Sequence, residues 1–204
     1  MNSVYCQDRA LVPSKIVCIG RNYVAHIEEL GNEIPDDMVV FMKPNSAIGS
    51  TLQSASDGEA LHYEGEIALL VEGGKFSAAG FGLDLTKRAL QGRLKQNGLP
   101  WERAKAFDGA ALFSEFIPLE SDLATLALTL TVDNELRQSG HCDLMMYPPA
   151  TILEQLAKFT TLEDGDVVMT GTPAGVGPVQ PGTSYTGTIA SKGRTLVSHT
   201  WQAI

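Results

Sequence analysis

The chain has 204 residues, of which 44% are hydrophobic and 19% are charged. This length suffices for one sizeable core, so we expect a single catalytic domain over residues 1–204, with 1–14 as an N-terminal loop segment. The formal net charge of -9, with no basic cluster to offset it, argues against nucleic acid as a partner. No apolar run could span a bilayer and no signal-peptide pattern opens the chain, so we expect a cytoplasmic protein without a membrane partner.

The cysteine pattern fits a reducing compartment. Cys6, Cys18 and Cys142 are odd in number and widely spaced. Neither a disulfide framework nor a zinc site is therefore indicated.

Short apolar runs interrupted by glycine and proline predict the elements of the first half. Strands are predicted at 15–20, 39–43, 64–72 and 81–85, and helices at 22–30 and 86–96. Gly31 is a plausible end for the first helix, and Thr86 is a candidate N-cap of the second.

The second half is richer in strands. Strands are predicted at 125–132, 167–170, 184–190 and 195–201, and a helix at 150–159. The last two strands are expected to pair as a hairpin. Many short strands, three helices and no regular strand–helix alternation favour an α+β fold over a doubly wound sheet. We expect a β-rich roll of mixed sheets with a few short helices.

Glu64 and Glu66 form the first candidate site. Side chains two apart on a strand share a face, so the two carboxylates project together. A divalent cation would offset their repulsion, and hard oxygen ligands suit magnesium, manganese or calcium. Asp84, at the end of a predicted strand, is a candidate third ligand. The alternatives are a solvated sheet face for the pair and a helix cap for Asp84.

His26 and Glu29 form a candidate acid–base pair. They lie three apart on a predicted helix, so they share a face and can hydrogen-bond. The carboxylate would raise the basicity of the imidazole. The alternative is an ordinary exposed helix pair.

Two lysines and one loop are further candidates. Lys43 and Lys105 lie in apolar surroundings, where a lysine can be buried against an anion or can equally remain at the surface. The segment TGTPAGVG, at 170–177, offers backbone amides that could hold a carboxylate, or is simply a turn. Three aromatic residues are assigned to packing: Trp101, Phe107 and Trp201.

Seven segments occur in one order: GRNYVAHIEELG, FMKP, YEGEIALLVE, LDLTKRALQ, PWERAKAFD, NELRQSG and DGDVVMTGTPAGVGP. Together, from Lys15 to Ile189, they closely resemble the fumarylacetoacetate hydrolase family. The chain is most similar to the short acylpyruvase-like and oxaloacetate decarboxylase-like branch. The resemblance implies the family's β-rich roll and a homodimer. Fumarylacetoacetase itself has an additional N-terminal domain, for which a first motif at Lys15 leaves no room.

The resemblance also implies roles for particular residues. It makes Glu64, Glu66 and Asp84 the ligands of Mg²⁺ or Mn²⁺, and it places His26 and Glu29 in a catalytic dyad on a lid helix. It implies that Lys105 belongs to the catalytic set. It implies substrate contacts for five residues: Arg21, Lys43, Gln91, Gly171 and Thr172.

Three departures from the family pattern leave the substrate preference open. Ala89 stands where an aspartate usually follows the arginine, and Asp133-Asn134 replaces Asn-Gly. His141-Cys142 lies in a variable polar stretch. None of them removes a proposed ligand, although loss of the aspartate at 89 could loosen how Arg88 is held.

The leading functional hypothesis is metal-dependent hydrolysis of a carbon–carbon bond in an acylpyruvate-type 2,4-dioxo acid. His26, oriented by Glu29, would activate water, and pyruvate and a carboxylic acid would result. Oxaloacetate decarboxylation and keto–enol tautomerisation or isomerisation of related 2-oxo diacids need the same stabilised enolate and remain alternatives. A non-catalytic binding protein is a further, less favoured hypothesis.

Overall fold

Strands dominate the computed structural model, which describes residues 1–31, 33–119 and 122–204. The strands are β1 (Val4–Cys6), β2 (Arg9–Leu11), β3 (Lys15–Gly20), β4 (Val39–Pro44), β5 (Ala55–Ser56), β6 (Glu59–Tyr63), β7 (Gly65–Glu72), β8 (Lys75–Asp84), β9 (Thr86–Lys87), β10 (Ala111–Phe113), β11 (Ile117–Pro118), β12 (Leu126–Val132), β13 (Glu135–His141), β14 (Val167–Met169), β15 (Gly177–Pro178), β16 (Ser184–Ser191) and β17 (Arg194–Gln202). The helices are α1 (Val24–Glu29), α2 (Arg88–Gln96), α3 (Glu102–Lys105) and α4 (Pro149–Leu156). Within the described ranges, no helix has the length and apolar character that crossing a bilayer requires.

A seven-stranded mixed sheet forms the centre of the molecule. Its order is β10-β8-β7-β14-β3-β4, with β11 also paired to β8. β14 and β3 run parallel, whereas β7 pairs antiparallel with both β8 and β14. An antiparallel sheet, β13-β12-β16-β17, packs on one face of the central sheet. Two smaller sheets, β15-β6-β5 with β9 and β1-β2, complete the fold.

Alternation along the central strands divides the core in two. On β7, Ile67 and Leu69 face the four-stranded sheet, where they join Leu128 and Tyr185 in the larger core cluster. The alternate residues Ala68 and Leu70 face a smaller cluster on the other side. A strand buried on both faces reads as a continuous apolar run, and any charge within it lies in a low-dielectric setting.

The β-rich α+β fold of mixed sheets is confirmed, as are several of its predicted elements. Strand β3 has the predicted bounds, and the last two strands pair as the predicted antiparallel hairpin. The N-terminal segment is not the loop that we expected, because β1 and β2 pair there. A fourth helix, α3, was not predicted, since its four residues are too few to show helical spacing.

Two element boundaries were wrong for physical reasons. Thr86 is not an N-cap: it lies in β9, and α2 begins at Arg88 after the N-cap Lys87. The Thr86 hydroxyl instead contacts the side chains of Glu64 and Lys105. Strand β8 has ten residues, six of them before the predicted start, because its alanines and glycines carry little apolar signal.

Gly187 marks a close approach between the two main sheets. A Cβ at this position would lie 2.3 Å from Cδ1 of the Phe81 ring. We therefore predict that Gly187→Ala lowers the free energy of unfolding by about 2 kcal/mol, because the buried ring cannot move without disturbing the core. Chemical denaturation followed by tryptophan fluorescence measures this change.

Gly92→Ala is the matched control. Gly92 lies within α2, and a Cβ there meets no atom within 4 Å. The free energy of unfolding of this variant should rise by about 0.5–1 kcal/mol, because alanine has a higher helix propensity than glycine. Equal stabilities for the two alanine variants would show that the sheets can separate freely at Gly187.

Candidate active site

Three buried carboxylates lie together where β7 and β8 pair. The backbone carbonyl of Glu64 accepts a hydrogen bond from the amide of Asp84 at 2.9 Å, which brings these two residues side by side. Glu66, the second residue of β7, projects to the same side as Glu64, which immediately precedes the strand. The solvent-exposed fractions of Glu64, Glu66 and Asp84 are only 6%, 2% and 1%, so the solvated-face alternative is wrong.

Two buried lysines partly neutralise these carboxylates. Lys105 Nζ donates to Glu64 Oε2 at 2.9 Å and to Asp84 Oδ2 at 2.8 Å. Lys43 Nζ lies 2.8 Å from Asp84 Oδ1 and also donates to the carbonyl of Lys105. Both lysines are therefore buried against an anion, and the surface alternative is excluded for each.

The three charges have unequal environments. Burial raises the pKa of Glu64, but Lys105 and Arg88 outweigh it and hold that pKa well below its usual range. Burial raises the pKa of Glu66 as well, and the neighbouring carboxylates of Asp84 and Glu64 raise it further. The pKa of Lys105 is lowered by burial but raised more by Asp84 and Glu64, so the net shift is upward and Lys105 remains a cation.

These carboxylates fit a divalent metal ion. One ligand oxygen from each of Glu64, Glu66 and Asp84 lies within 4.8 Å of the others. Asp84 Oδ1 makes no well-aligned hydrogen bond among the described residues, although it is buried. An ionised Glu66 also lacks sufficient compensation by nearby cations, which its raised pKa reflects. Hard carboxylate oxygens suit Mg²⁺ or Mn²⁺, and three of them leave coordination positions for substrate oxygens and water.

The glycine-rich loop after β14 holds Glu66 in place. The amide of Gly171 donates to Glu66 Oε2 at 2.7 Å. Gly171 has φ +102, and a Cβ there would lie 2.7 Å from Cβ of Asn22, so only glycine fits. Thr172 Oγ1 donates to the carbonyl of Gly65 at 2.9 Å, which fixes the loop to β7. The expectation that this segment holds a carboxylate is met by the protein's own Glu66.

Helix α1 carries the predicted acid–base pair. His26 Nδ1 lies 3.3 Å from Glu29 Oε2, and the other oxygen of Glu29 accepts the amide of Gly175 at 2.9 Å. His26 is buried, and that burial is the main cause of its lowered pKa, which Glu64 and Glu29 partly offset. The imidazole is therefore neutral at pH 7 and can accept a proton.

A small cleft of about 40 Å³ joins the carboxylates to the histidine. Its lining includes most of the predicted site: Arg21, His26, Glu64, Glu66, Asp84, Gln91, Lys105 and Thr172. Lys43 is completely buried and does not line this cleft, since it lies behind Asp84. Gly171 likewise reaches the cleft only through Glu66.

Sequence reasoning missed several residues that hold the site together. Gln138 is completely buried and accepts from the Gly65 amide at 2.9 Å while donating to Thr172 Oγ1 at 2.8 Å. Asn22 donates to the carbonyl of Thr170 at 2.8 Å. These contacts join residues more than 30 positions apart, and no local pattern signals them.

The aromatic residue Trp101 and the basic residue Lys95 were also missed as cleft residues. Trp101, which we assigned to packing, lines the cleft, and so does Lys95. Arg88 is held by Glu64 and by Gln91 Oε1, the latter at 2.8 Å. An aspartate at position 89 is therefore not needed to hold it.

The segment 15–199 matches the fumarylacetoacetate (FAA) hydrolase C-terminal model. The chain belongs to this family. Its carboxylate cluster and its His26–Glu29 pair lie on the segments that first suggested the resemblance.

The relatives with named activities include a tautomerase and a decarboxylase. The chain is 41% identical over 190 residues to the oxaloacetate tautomerase YcgM of Escherichia coli (strain K12), covering 85% of this chain and 87% of that one. It is 34% identical over 187 residues to a mitochondrial oxaloacetate decarboxylase of Dictyostelium discoideum, covering 82% and 85%.

Solved structures show the same fold. A protein from Oleispira antarctica superposes with a TM-score of 0.93 at 35% identity, covering all of both chains. Fumarylpyruvate hydrolase from Pseudomonas aeruginosa, solved in complex with Mn²⁺ and pyruvate, superposes with a TM-score of 0.88 at 30% identity. The superposition covers 100% of this chain and 95% of that one.

Replacing Glu66 should separate metal binding from stability. Glu66→Gln should abolish tight Mn²⁺ binding, because it removes one carboxylate ligand. In the metal-free protein, the same change should raise Tm by roughly 3 °C, which corresponds to about 1 kcal/mol, because it removes a poorly compensated buried charge. Electron paramagnetic resonance of free Mn²⁺ and a thermal melt in chelator measure the two effects.

Glu72→Gln is the control on the same strand. Glu72 pairs with Arg9 at the surface, 2.8 Å away, and lies outside the cluster. Its replacement should leave Mn²⁺ binding intact. A Glu66→Gln protein that bound Mn²⁺ as tightly as the unchanged chain would remove Glu66 from the ligand set.

Proposed function

We propose that this chain is a divalent-metal-dependent enzyme that interconverts the enol and keto forms of oxaloacetate or a closely related 2-oxo diacid. One observation carries the proposal: a buried cluster of three carboxylates shares a small cleft with a neutral histidine. The named activities of the Escherichia coli and Dictyostelium relatives support an oxaloacetate reaction in preference to our leading hydrolase hypothesis.

The reaction requires that negative charge develop on the 2-oxo oxygen while a proton leaves or joins C3. Glu64, Glu66 and Asp84 would hold Mg²⁺ or Mn²⁺, which supplies Lewis-acid stabilisation of that oxygen. The surrounding burial excludes bulk water, so the fixed charges of the site act in a low dielectric.

His26 is suited to move the proton. As a neutral base it takes the hydroxyl proton of the enol from O2 and delivers it to C3, so that no atom is gained or lost overall. Glu29, at 3.3 Å, orients the ring and stabilises the imidazolium between the two transfers. The groups that act on this histidine are Glu64 and Glu29, which raise its pKa, and Arg88, which lowers it.

Lys105 acts chiefly by positioning the carboxylates. Its three N–H donors are directed at Glu64, Asp84 and the Thr86 hydroxyl, the last at 2.6 Å. The ammonium group is thus already fully engaged in this arrangement. Gln91 and Thr172 line the cleft and offer polar contacts to the substrate.

Hydrolysis of an acylpyruvate is the second candidate. The similarity to fumarylpyruvate hydrolase solved with Mn²⁺ and pyruvate favours it. In that reaction His26 would activate a water molecule for attack on the distal carbonyl, as the sequence hypothesis states. A cytoplasmic location and a homodimer stay predictions under either candidate.

A parallel assay distinguishes these activities. Metal-stripped protein is given the enol form of oxaloacetate and, in a parallel reaction, acetylpyruvate, each with and without Mn²⁺. Enol absorbance and pyruvate are followed together. We expect metal-dependent loss of the enol without pyruvate. Stoichiometric pyruvate from oxaloacetate would indicate a decarboxylase, and cleavage of acetylpyruvate alone would indicate the hydrolase; either outcome contradicts the proposal.

The pH profile tests His26 as the base. Because burial lowers its pKa below 6.5, kcat/KM should be retained at neutral pH and be lost only as pH falls through that lowered value. Glu29→Gln removes a charge that raises this pKa, so the acid limb should shift to lower pH. His26→Ala should reduce kcat by roughly 10²–10⁴-fold.

His141→Ala is the control. His141 is a partly exposed histidine that contacts Asp143 outside the cleft, so its replacement should leave both rate and profile unchanged. Retention of near-normal kcat in His26→Ala would transfer the proton-transfer role to another group.

A further inference from the structure

One face of α2 presents three polar side chains to the cleft. Arg88, Gln91 and Lys95 stand at positions i, i+3 and i+7, which fall on one side of a helix, and all three line the cleft. Arg88 begins the row at Glu64, and Lys95 ends it about 10 Å further along the helix axis. Long side chains on a helix lean towards its N-terminus, which directs Lys95 back towards the other two.

An aromatic wall runs between two lysines. Lys105 Nζ lies 5.2 Å from the centre of the Phe41 ring, and the Phe41 and Trp101 rings lie 6.0 Å apart. Lys95 Nζ then lies 6.0 Å from the centre of the Trp101 ring. The cleft therefore has a cation at each end of an apolar wall, and the three carboxylates described in its lining lie at the Lys105 end.

The Lys95 end of the cleft is more exposed and is positively charged. Arg21, Arg88 and Lys95 all line the cleft and are only partly buried, unlike the three carboxylates. Burial lowers the pKa of Lys95, and the nearby charges of Arg21 and Arg88 lower it further. An anion bound among these cations would relieve their mutual repulsion.

We propose that Lys95, together with Arg21, binds the distal carboxylate of a short dicarboxylate and thereby makes the chain select 2-oxo diacids over 2-oxo monoacids. This inference rests on the proposed function, in which the 2-oxo oxygen would lie at the metal ion that Glu64, Glu66 and Asp84 would hold, with the adjoining 1-carboxylate at the same end of the cleft. The wall of Phe41 and Trp101 then faces the carbons between the two charged ends.

The kinetic test compares enol oxaloacetate with its 4-ethyl ester, which lacks the distal charge. Lys95→Met keeps an unbranched apolar side chain against Trp101 but removes the ammonium. It should raise KM for oxaloacetate by about tenfold, the usual cost of one charge-assisted hydrogen bond, and lower the diacid-to-ester ratio of kcat/KM by a similar factor. Lys95→Arg should restore the ratio to within about threefold of the unchanged chain, because it keeps the charge.

Lys158→Met is the matched control. Lys158 is an exposed lysine 3.9 Å from Glu154, outside the cleft. Its replacement should change kcat/KM for neither substrate. If Lys95→Met lowered kcat/KM for the diacid and for the ester by the same factor, Lys95 would act through the shape of the cleft and not through the distal carboxylate. An unchanged diacid-to-ester ratio of kcat/KM, whether both values fall or neither does, therefore overturns the inference.

A binding experiment separates this inference from the proposed reaction. Titration calorimetry of the Mn²⁺-loaded protein uses malate, which has a distal carboxylate, and oxalate, which presents only the chelating end. Lys95→Met should raise the Kd for malate by about tenfold and the Kd for oxalate by much less. If the wild-type protein fails to tautomerise oxaloacetate but Lys95→Met still weakens the binding of malate selectively, the proposed reaction is wrong and the diacid site stands. Equal weakening of the binding of both ligands overturns the diacid site.

Discussion

The rest of the site depends on the burial of three carboxylates in a low-dielectric core. Such charges cost several kcal/mol each unless they are compensated. The chain compensates them unevenly: Glu64 and Asp84 contact Lys105, whereas Glu66 receives chiefly the Gly171 amide. This imbalance gives the cluster an affinity for a divalent cation. The groups that do compensate the carboxylates come from α3, β4 and the loop after β14, which bring Lys105, Lys43 and the Gly171 amide to one strand pair.

Local sequence patterns predicted one part of this arrangement well. The two-residue spacing of Glu64 and Glu66 placed both carboxylates on one face, and the three-residue spacing of His26 and Glu29 placed them in contact. Period and spacing are properties of a single element, so one sequence suffices to read them. The ordered motifs then supplied the family and its fold, which the match over 15–199 confirms.

The remainder depends on contacts between distant elements. Gln138 lies on an edge strand among exposed neighbours, and nothing in its own segment indicates that it is buried against Gly65 and Thr172. Lys95 resembles any lysine near a helix end until Trp101 is placed beside it. Thr86 fitted the composition of a helix cap, but the charge of Lys105 attracts its hydroxyl instead. In each case tertiary electrostatics or packing overrides local preference.

Glu29 has two oxygens with two different partners, so the position of His26 is coupled to that of the glycine-rich loop. One oxygen faces His26, while the other accepts the Gly175 amide and fastens α1 to the glycine-rich loop. If α1 moved away from the loop, the second contact would break and His26 would move with the helix. Under the proposed function, an open entrance and a correctly placed base would then exclude one another, which would confine each proton transfer to the interval between substrate capture and product release.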